Sequence, residues 1–252
     1  ALYYLARIAD SREDYDRAVL LYHEVTDGSN AVASQRRASA IMAFEKDYAD
    51  RALEMHDECA DNSPASAVEM LLDKEQLLAS LDRYEQSLQY YDQVVDSRPN
   101  EEGVALGRAE LLLRMGRIDD ALTAYAAAVK KWPKSELSLN AYGYTLADRT
   151  DRYEEAEDYI QKAIKLDPDN PAIIDSLGWV YFKLGRLDAA LVELERAYDA
   201  YEDHEVAAHI VEVLMALGRQ DEALELLVSA EEKRPESKIL EDVRQRLFSP
   251  AP

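Results

Sequence analysis

The sequence predicts an all-α fold: a right-handed superhelix (an α-solenoid) of about seven stacked helix pairs, closed by a C-terminal capping helix. Two observations carry this. A small residue recurs at Ala18, Ala52, Ser87, Ala121, Ala156, Ala190 and Ala223, with spacings of 34, 35, 34, 35, 34 and 33. Some 12 residues after each, the chain turns, at Asn30, Pro64, Pro99, Pro133, Pro168, Glu202 and Pro235. A period this regular belongs to stacked supersecondary units, each of which buries its apolar face only against its neighbours. It sets aside almost every enzyme architecture and makes a binding surface the expected product.

Composition agrees. Of 252 residues, 48% are hydrophobic and 32% charged, which fits neither a disordered chain nor a membrane-embedded one. The most apolar stretch, Ala121 to Val129, is stopped by Lys130 and Lys131, well short of the ~18 residues a spanning helix needs. The formal charge of −22 repels phosphate backbones and argues against nucleic acid as a partner, while leaving basic or neutral proteins open. A single cysteine, Cys59, rules out an internal disulfide and says nothing about compartment. Residue 1 is alanine, and Ala1 to Ala6 already reads as the middle of a first helix, so the chain is expected to be a piece of a longer protein.

The unit beginning at Pro171 is the clearest. Asn170 followed by Pro171 supplies a capping side chain and then proline in the first turn. Ile174, Leu177, Gly178 and Tyr181 form one stripe, Gly185 ends the helix as a left-handed cap, and a second helix carries Ala190, Leu194 and Ala197 inward. Gly178 and Ala190 are small because the two helices cross there. The boundaries run 1–32, 33–67, 68–101, 102–135, 136–170, 171–203 and 204–235, followed by a capping helix over 236–248 and a loose tail, 249–252. Aspartate replaces the helix-ending glycine at Asp47 and Asp82 and is expected to tolerate the turn less well. The unit at 136–170 holds one extra residue, in Asp148 to Tyr153, and predicts a longer inter-helix turn.

The set Ala105, Ala109, Leu112, Gly116, Ala121, Tyr125, Ala128, Pro133, and again Ile210, Val211, Leu214, Gly218, Ala223, Leu227, Ala230, Pro235, resembles the tetratricopeptide repeat along the whole chain.

Candidate chemistry is sparse. His56, Asp57, Glu58 and Cys59 are the residue types of a metal site, but neighbours on a helix diverge by about 100° and do not converge on one ion. Asp167 to Pro171 has the composition of a calcium loop without its glycine and distant glutamate. No nucleophile triad, phosphate loop or dinucleotide fingerprint is visible; no catalysis, metal or cofactor is expected. The informative surface is the face lined by the first helix of each pair, whose frame selects Arg37, Ile41 and Phe44; Leu72 and Gln76; Leu106, Glu110 and Leu113; Leu137, Asn140, Tyr144 and Ala147; Asp175, Trp179 and Phe182; and Ala208, Glu212 and Met215. Tyr144, Trp179 and Phe182 are expected as exposed aromatics beside the Asn140 amide, a hot spot for a protein segment. The clamp that other tetratricopeptide proteins close on a C-terminal carboxylate needs lysine, arginine and asparagine. Leu72, Gln76, Leu106, Glu110 and Tyr144 do not supply it.

From Leu139 to Leu227 the resemblance sharpens. The strings from Asn140 to Tyr198 and from His204 to Leu226 are similar to the C-terminal array of proteobacterial tetratricopeptide lipoproteins, including pseudomonad outer-membrane lipoproteins that partner a periplasmic carboxyl-terminal processing protease. That resemblance implies a periplasmic adaptor, held at the outer membrane by a lipid anchor outside this segment. It would bring peptidoglycan hydrolases to the protease. The competing expectations are a structural scaffold of an envelope or cytosolic assembly with no protease link, and the non-catalytic array of a larger enzyme.

Overall fold

The computed structural model describes residues 1–45, 48–62, 73, 74 and 77–248, and every regular element among them is helical. The chain divides into two compact units, Ala1–Arg117 and Ile118–Pro252. The first holds α1 (Leu2–Asp10), α2 (Tyr15–His23), α3 (Ala31–Ala40) continuing into a π-helical turn (Ile41–Glu45), α4 (Ala49–Asn62), α5 (Tyr84–Ser97) and α6 (Glu102–Arg114). Here α1 packs on α2, α2 on α3, α3 on α4 and α5 on α6. The second holds α7 (Ile118–Lys131), α8 (Glu136–Arg149), α9 (Tyr153–Leu166), α10 (Pro171–Lys183), α11 (Leu187–Ala200), α12 (His204–Ala216), α13 (Gln220–Lys233) and α14 (Lys238–Phe248). Consecutive helices of this unit pack together, and α8 also touches α10, which touches α12. The architecture is an all-α helical repeat.

All seven recurring small residues, from Ala18 to Ala223, have 0% exposure, serine at position 87 included. The cause is steric. At Gly178 an added Cβ would stand 2.6 Å from Leu194 Cγ and 3.2 Å from the Ala190 carbonyl oxygen; at Gly143 it would meet Ile160 Cδ1 at 2.8 Å and the Ala156 carbonyl oxygen at 3.1 Å. A glycine on the first helix thus lies over the small residue of the second, and a large aliphatic side chain one turn further on seals the gap. In the first unit Gly107 of α6 instead faces the preceding helix, α5, whose Tyr91 ring an added Cβ would meet. Burial of each such aliphatic group contributes about 1.5–3 kcal/mol, and it depends on the backbones approaching this closely.

The turns inside the pairs share one hydrogen-bond pattern. Gly116, Gly185 and Gly218 have φ of 73°, 74° and 76°. The following N–H groups, of Arg117, Arg186 and Arg219, donate to the carbonyls of Leu112, Tyr181 and Leu214 at 2.9 Å. Asp82 adopts the same geometry, with φ 57° and the Arg83 N–H donating to the Leu78 carbonyl at 2.8 Å; Asp47 lies outside the described residues. Aspartate therefore serves the turn, as its short polar side chain permits.

The extra residue of the fifth unit is placed differently from expectation. The turn 150–152 is no longer than 184–186 or 217–219; instead α8 has 14 residues where α10 and α12 have 13. Thr150 replaces the glycine cap. Its hydroxyl donates to the Leu146 carbonyl at 2.6 Å and accepts from the Arg152 N–H at 3.1 Å. This closes the turn from an extended backbone at φ −144°. At the C-terminus α14 packs on α12 and α13 and buries Leu240 and Val243.

Two alanine substitutions separate sterics from helix propensity. Gly178→Ala is expected to destabilise by about 1–3 kcal/mol in urea unfolding, because the crossing is overpacked. Gly103→Ala, where an added Cβ meets nothing within 4 Å, is expected to stabilise by about 0.5–1 kcal/mol.

Candidate functional site

In the second unit α8, α10 and α12 lie side by side and border a half-open pocket of about 340 Å³. From α8 come Asn140, Ala141 and Tyr144; α10 adds Pro171, Ala172, Asp175 and Ser176 from its first turns. Tyr201 and Asp203, from the link into α12, and Glu205 and Val206, from its start, complete the wall. Local structure fixes several of these. Asn170 accepts from the Ala172 N–H at 3.1 Å and so anchors the start of α10; Asp203 does the same for α12 through the Glu205 N–H at 2.8 Å.

The floor is a polar and aromatic network. Tyr144 donates its hydroxyl to Glu205 Oε1 at 3.0 Å, joining α8 to α12 across α10. Burial, and then the Glu205, Asp148 and Asp175 carboxylates, push the Tyr144 pKa far above its ordinary value, so it remains a neutral donor. His209 Nδ1 lies 2.8 Å from Asp175 Oδ1, and both side chains are buried. Burial by itself opposes the imidazolium, but the Asp175 carboxylate, with Glu205 and Glu212 nearby, outweighs it and holds the His209 pKa above its usual value. The imidazole stacks on Trp179 at 4.1 Å between ring centroids, and Trp179 leans on Phe182 at 5.1 Å. Lys183 Nζ sits 4.6 Å from the Trp179 ring.

Two buried polar atoms of this region, Asn140 Oδ1 and Trp179 Nε1, have no hydrogen-bond partner. Each such group costs about 1–3 kcal/mol when left unsatisfied. Ser176 stands next to Asp175, but its hydroxyl donates to the Ala172 carbonyl at 2.9 Å, a bond within its own helix. It is oriented as a helix back-bond, and no serine–histidine relay is assembled. The arrangement is suited to holding a ligand.

The structure revises the expected surface residue by residue. Trp179 is 5% exposed, not an open aromatic, because its ring is taken up by His209 and Phe182. Phe182 and Met215 are half-buried against the core around α11 to α13, and Ile41, Ala147 and Ala208 are wholly core. Glu212 is paired with Arg246 of α14 at 2.7 Å. Arg37 makes two 2.7 Å bonds to Asp10, whose carboxyl it holds below the usual range, and so ties α3 to the end of α1. Phe44 is exposed and Glu110 lies on the surface, both in the first unit. Leu137 is exposed in the second. Asn140, Tyr144 and Asp175 are brought together in the pocket. Gln76 and Leu72 lie outside the described residues, as do the side chains of His56 to Cys59.

His209, Glu205 and Tyr201 are absent from the expected set. The frame selected Ala208, one place from His209, and one place on a helix is a rotation of about 100°. The usable signal was the separation of Asp175 and His209 by 34 residues, one full period.

Comparison with known proteins agrees with this architecture. Two tetratricopeptide-repeat family models match residues 106–171 and 149–208. The TPR repeat-containing protein PA4667 of Pseudomonas aeruginosa is 33% identical over 208 residues, which is 82% of this chain and 35% of that protein. The chain thus spans about a third of this relative's length. Among solved structures, a thermophilic TPR protein of Thermus thermophilus, TTC0263, aligns with TM-score 0.62 and 24% identity, over 71% of this chain and 96% of its own. A tetratricopeptide-repeat protein of Parabacteroides merdae aligns with TM-score 0.71 and 14% identity, over 98% of each chain. At these identities the structural likeness establishes the fold alone.

The raised His209 pKa has a consequence for stability. His209 binds its proton more tightly folded than unfolded, so its contribution is fully present below about pH 6.5, its unfolded value. It is lost as pH rises through the higher folded value. The melting temperature of the chain is expected to fall across that window, and His209→Gln is expected to flatten the profile. An unaltered slope in the variant would place the titration elsewhere.

Proposed function

Because this chain is a tetratricopeptide-repeat protein, we propose that it is a non-catalytic scaffold whose α8–α10–α12 face holds a segment of a partner protein. One observation carries this reading: a pocket of about 340 Å³ is bordered by three successive first helices and by the link into the third. A bound segment would fill such a space.

The finer reading is an adaptor that presents peptidoglycan hydrolases to a periplasmic carboxyl-terminal processing protease, the whole protein being lipid-anchored at the outer membrane. Its support is the resemblance between Leu139 and Leu227, together with a charge of −22 that favours encounter with basic envelope proteins. A rigid array holding protease and substrate together would raise their effective concentration without chemistry of its own.

The test is reconstitution. Purified protease and a peptidoglycan hydrolase are incubated with and without the chain, and hydrolase loss is followed. The chain is expected to accelerate degradation. Tyr201→Ala, at a pocket residue that is 60% exposed, is expected to weaken hydrolase capture by about five- to ten-fold with unchanged helical content. No acceleration and no binding to either protein would favour a structural scaffold with no protease link.

A further inference from the structure

We propose that the pocket between α8, α10 and the start of α12 receives an arginine side chain from the bound segment, which presupposes that this face binds protein as proposed above. Charge is the first reason. Asp175, Asp203 and Glu205 line the pocket, and no lysine or arginine does. The α10 and α12 N-termini that open on the same space each carry about half a positive charge. Even with His209 protonated against Asp175, the carboxylates keep an excess of about one negative charge. An anionic ligand, which a helix N-terminus alone would attract, is therefore disfavoured.

Hydrogen-bonding capacity is the second reason. The bonds that Asp175, Asp203 and Glu205 accept from His209, the Glu205 N–H and the Tyr144 hydroxyl fall on one oxygen of each carboxylate. Each carboxylate accepts through both oxygens, so capacity remains on all three. A ring of acceptors with few donors matches a group that offers only donors. Guanidinium offers five in a plane, against the compact ammonium of lysine. The walls are the third reason: the Tyr144 and Tyr201 side chains, with Pro171 and Val206, offer apolar and aromatic surface to the stem and flat face of an arginine.

The probe is a blocked alanine pentapeptide with a central arginine, titrated into the full chain and followed by amide NMR shifts. Parallel peptides carry citrulline, lysine or glutamate at the centre. Shifts are expected at Ala172, Glu205 and Val206, with the arginine peptide at least five-fold tighter than its uncharged citrulline twin. Its binding should weaken several-fold between about 20 and 200 mM salt. Glu205→Gln combined with Asp203→Asn, which retains a capping side chain, is expected to abolish the preference for arginine while circular dichroism is unchanged. Equal affinity for arginine and citrulline, preference for glutamate, or shifts confined to other helices would each overturn the assignment. Failure of the arginine peptide alongside intact capture of a hydrolase would remove the arginine pocket and leave the scaffold reading standing. Arginine binding without any protein capture would do the reverse.

Discussion

Everything in the second unit depends on how closely two helices of a pair can approach. Ala190 under Gly178, and Ala156 under Gly143, let the backbones come within reach of Leu194 and Ile160, which fill the remaining space. A larger residue at either small position would move the first helix of that pair outward. The pocket is bordered mainly by first helices, so such a shift would separate Tyr144 from Glu205 and Asp175 from His209. These bonds span 61 and 34 residues of sequence and have no local support. The small residues set the position of the pocket-bearing face without belonging to it.

Stability and binding place opposite demands on that face. Trp179 stacked on His209, and Asp175 paired with the same ring, are buried within the protein and form the floor of the pocket. Tyr201 and the mouth of the pocket remain open to solvent. Rigid walls beneath exposed contact groups reduce the ordering entropy that binding must overcome. Elsewhere the same logic converts expected contact residues into struts. Arg37 braces α1, and Glu212 receives Arg246 from the closing helix, which covers the last pair with a polar outer surface.

Period and turn chemistry were legible because each is a short-range rule. The recurrence of a small residue reads directly as a crossing, and all seven positions are fully buried. Thr150 shows where local reading stops: it closes its turn through a hydroxyl, so the inserted residue lengthened α8 rather than the loop. The pocket-bearing face was legible in part. Asn140, Tyr144 and Asp175, selected by the helical frame, border the pocket, whereas Trp179 is buried; that frame gives direction and not what stands opposite. His209 was the missing occupant. Recognising it required comparing successive repeats at the same height, since Asp175 and Trp179 lie one repeat away.

The most direct test of the crossing constraint is a double-mutant cycle in urea unfolding on Gly178→Ala and Leu194→Ala. If closeness at the crossing governs the pair, the methyl at 178 occupies space that Leu194 vacates. The double variant should then be more stable than the sum of the single losses predicts, by about 1 kcal/mol or more. Strictly additive losses would contradict it, showing that Gly178 and Leu194 do not compete for the same space and that the position of α10 is set by something else.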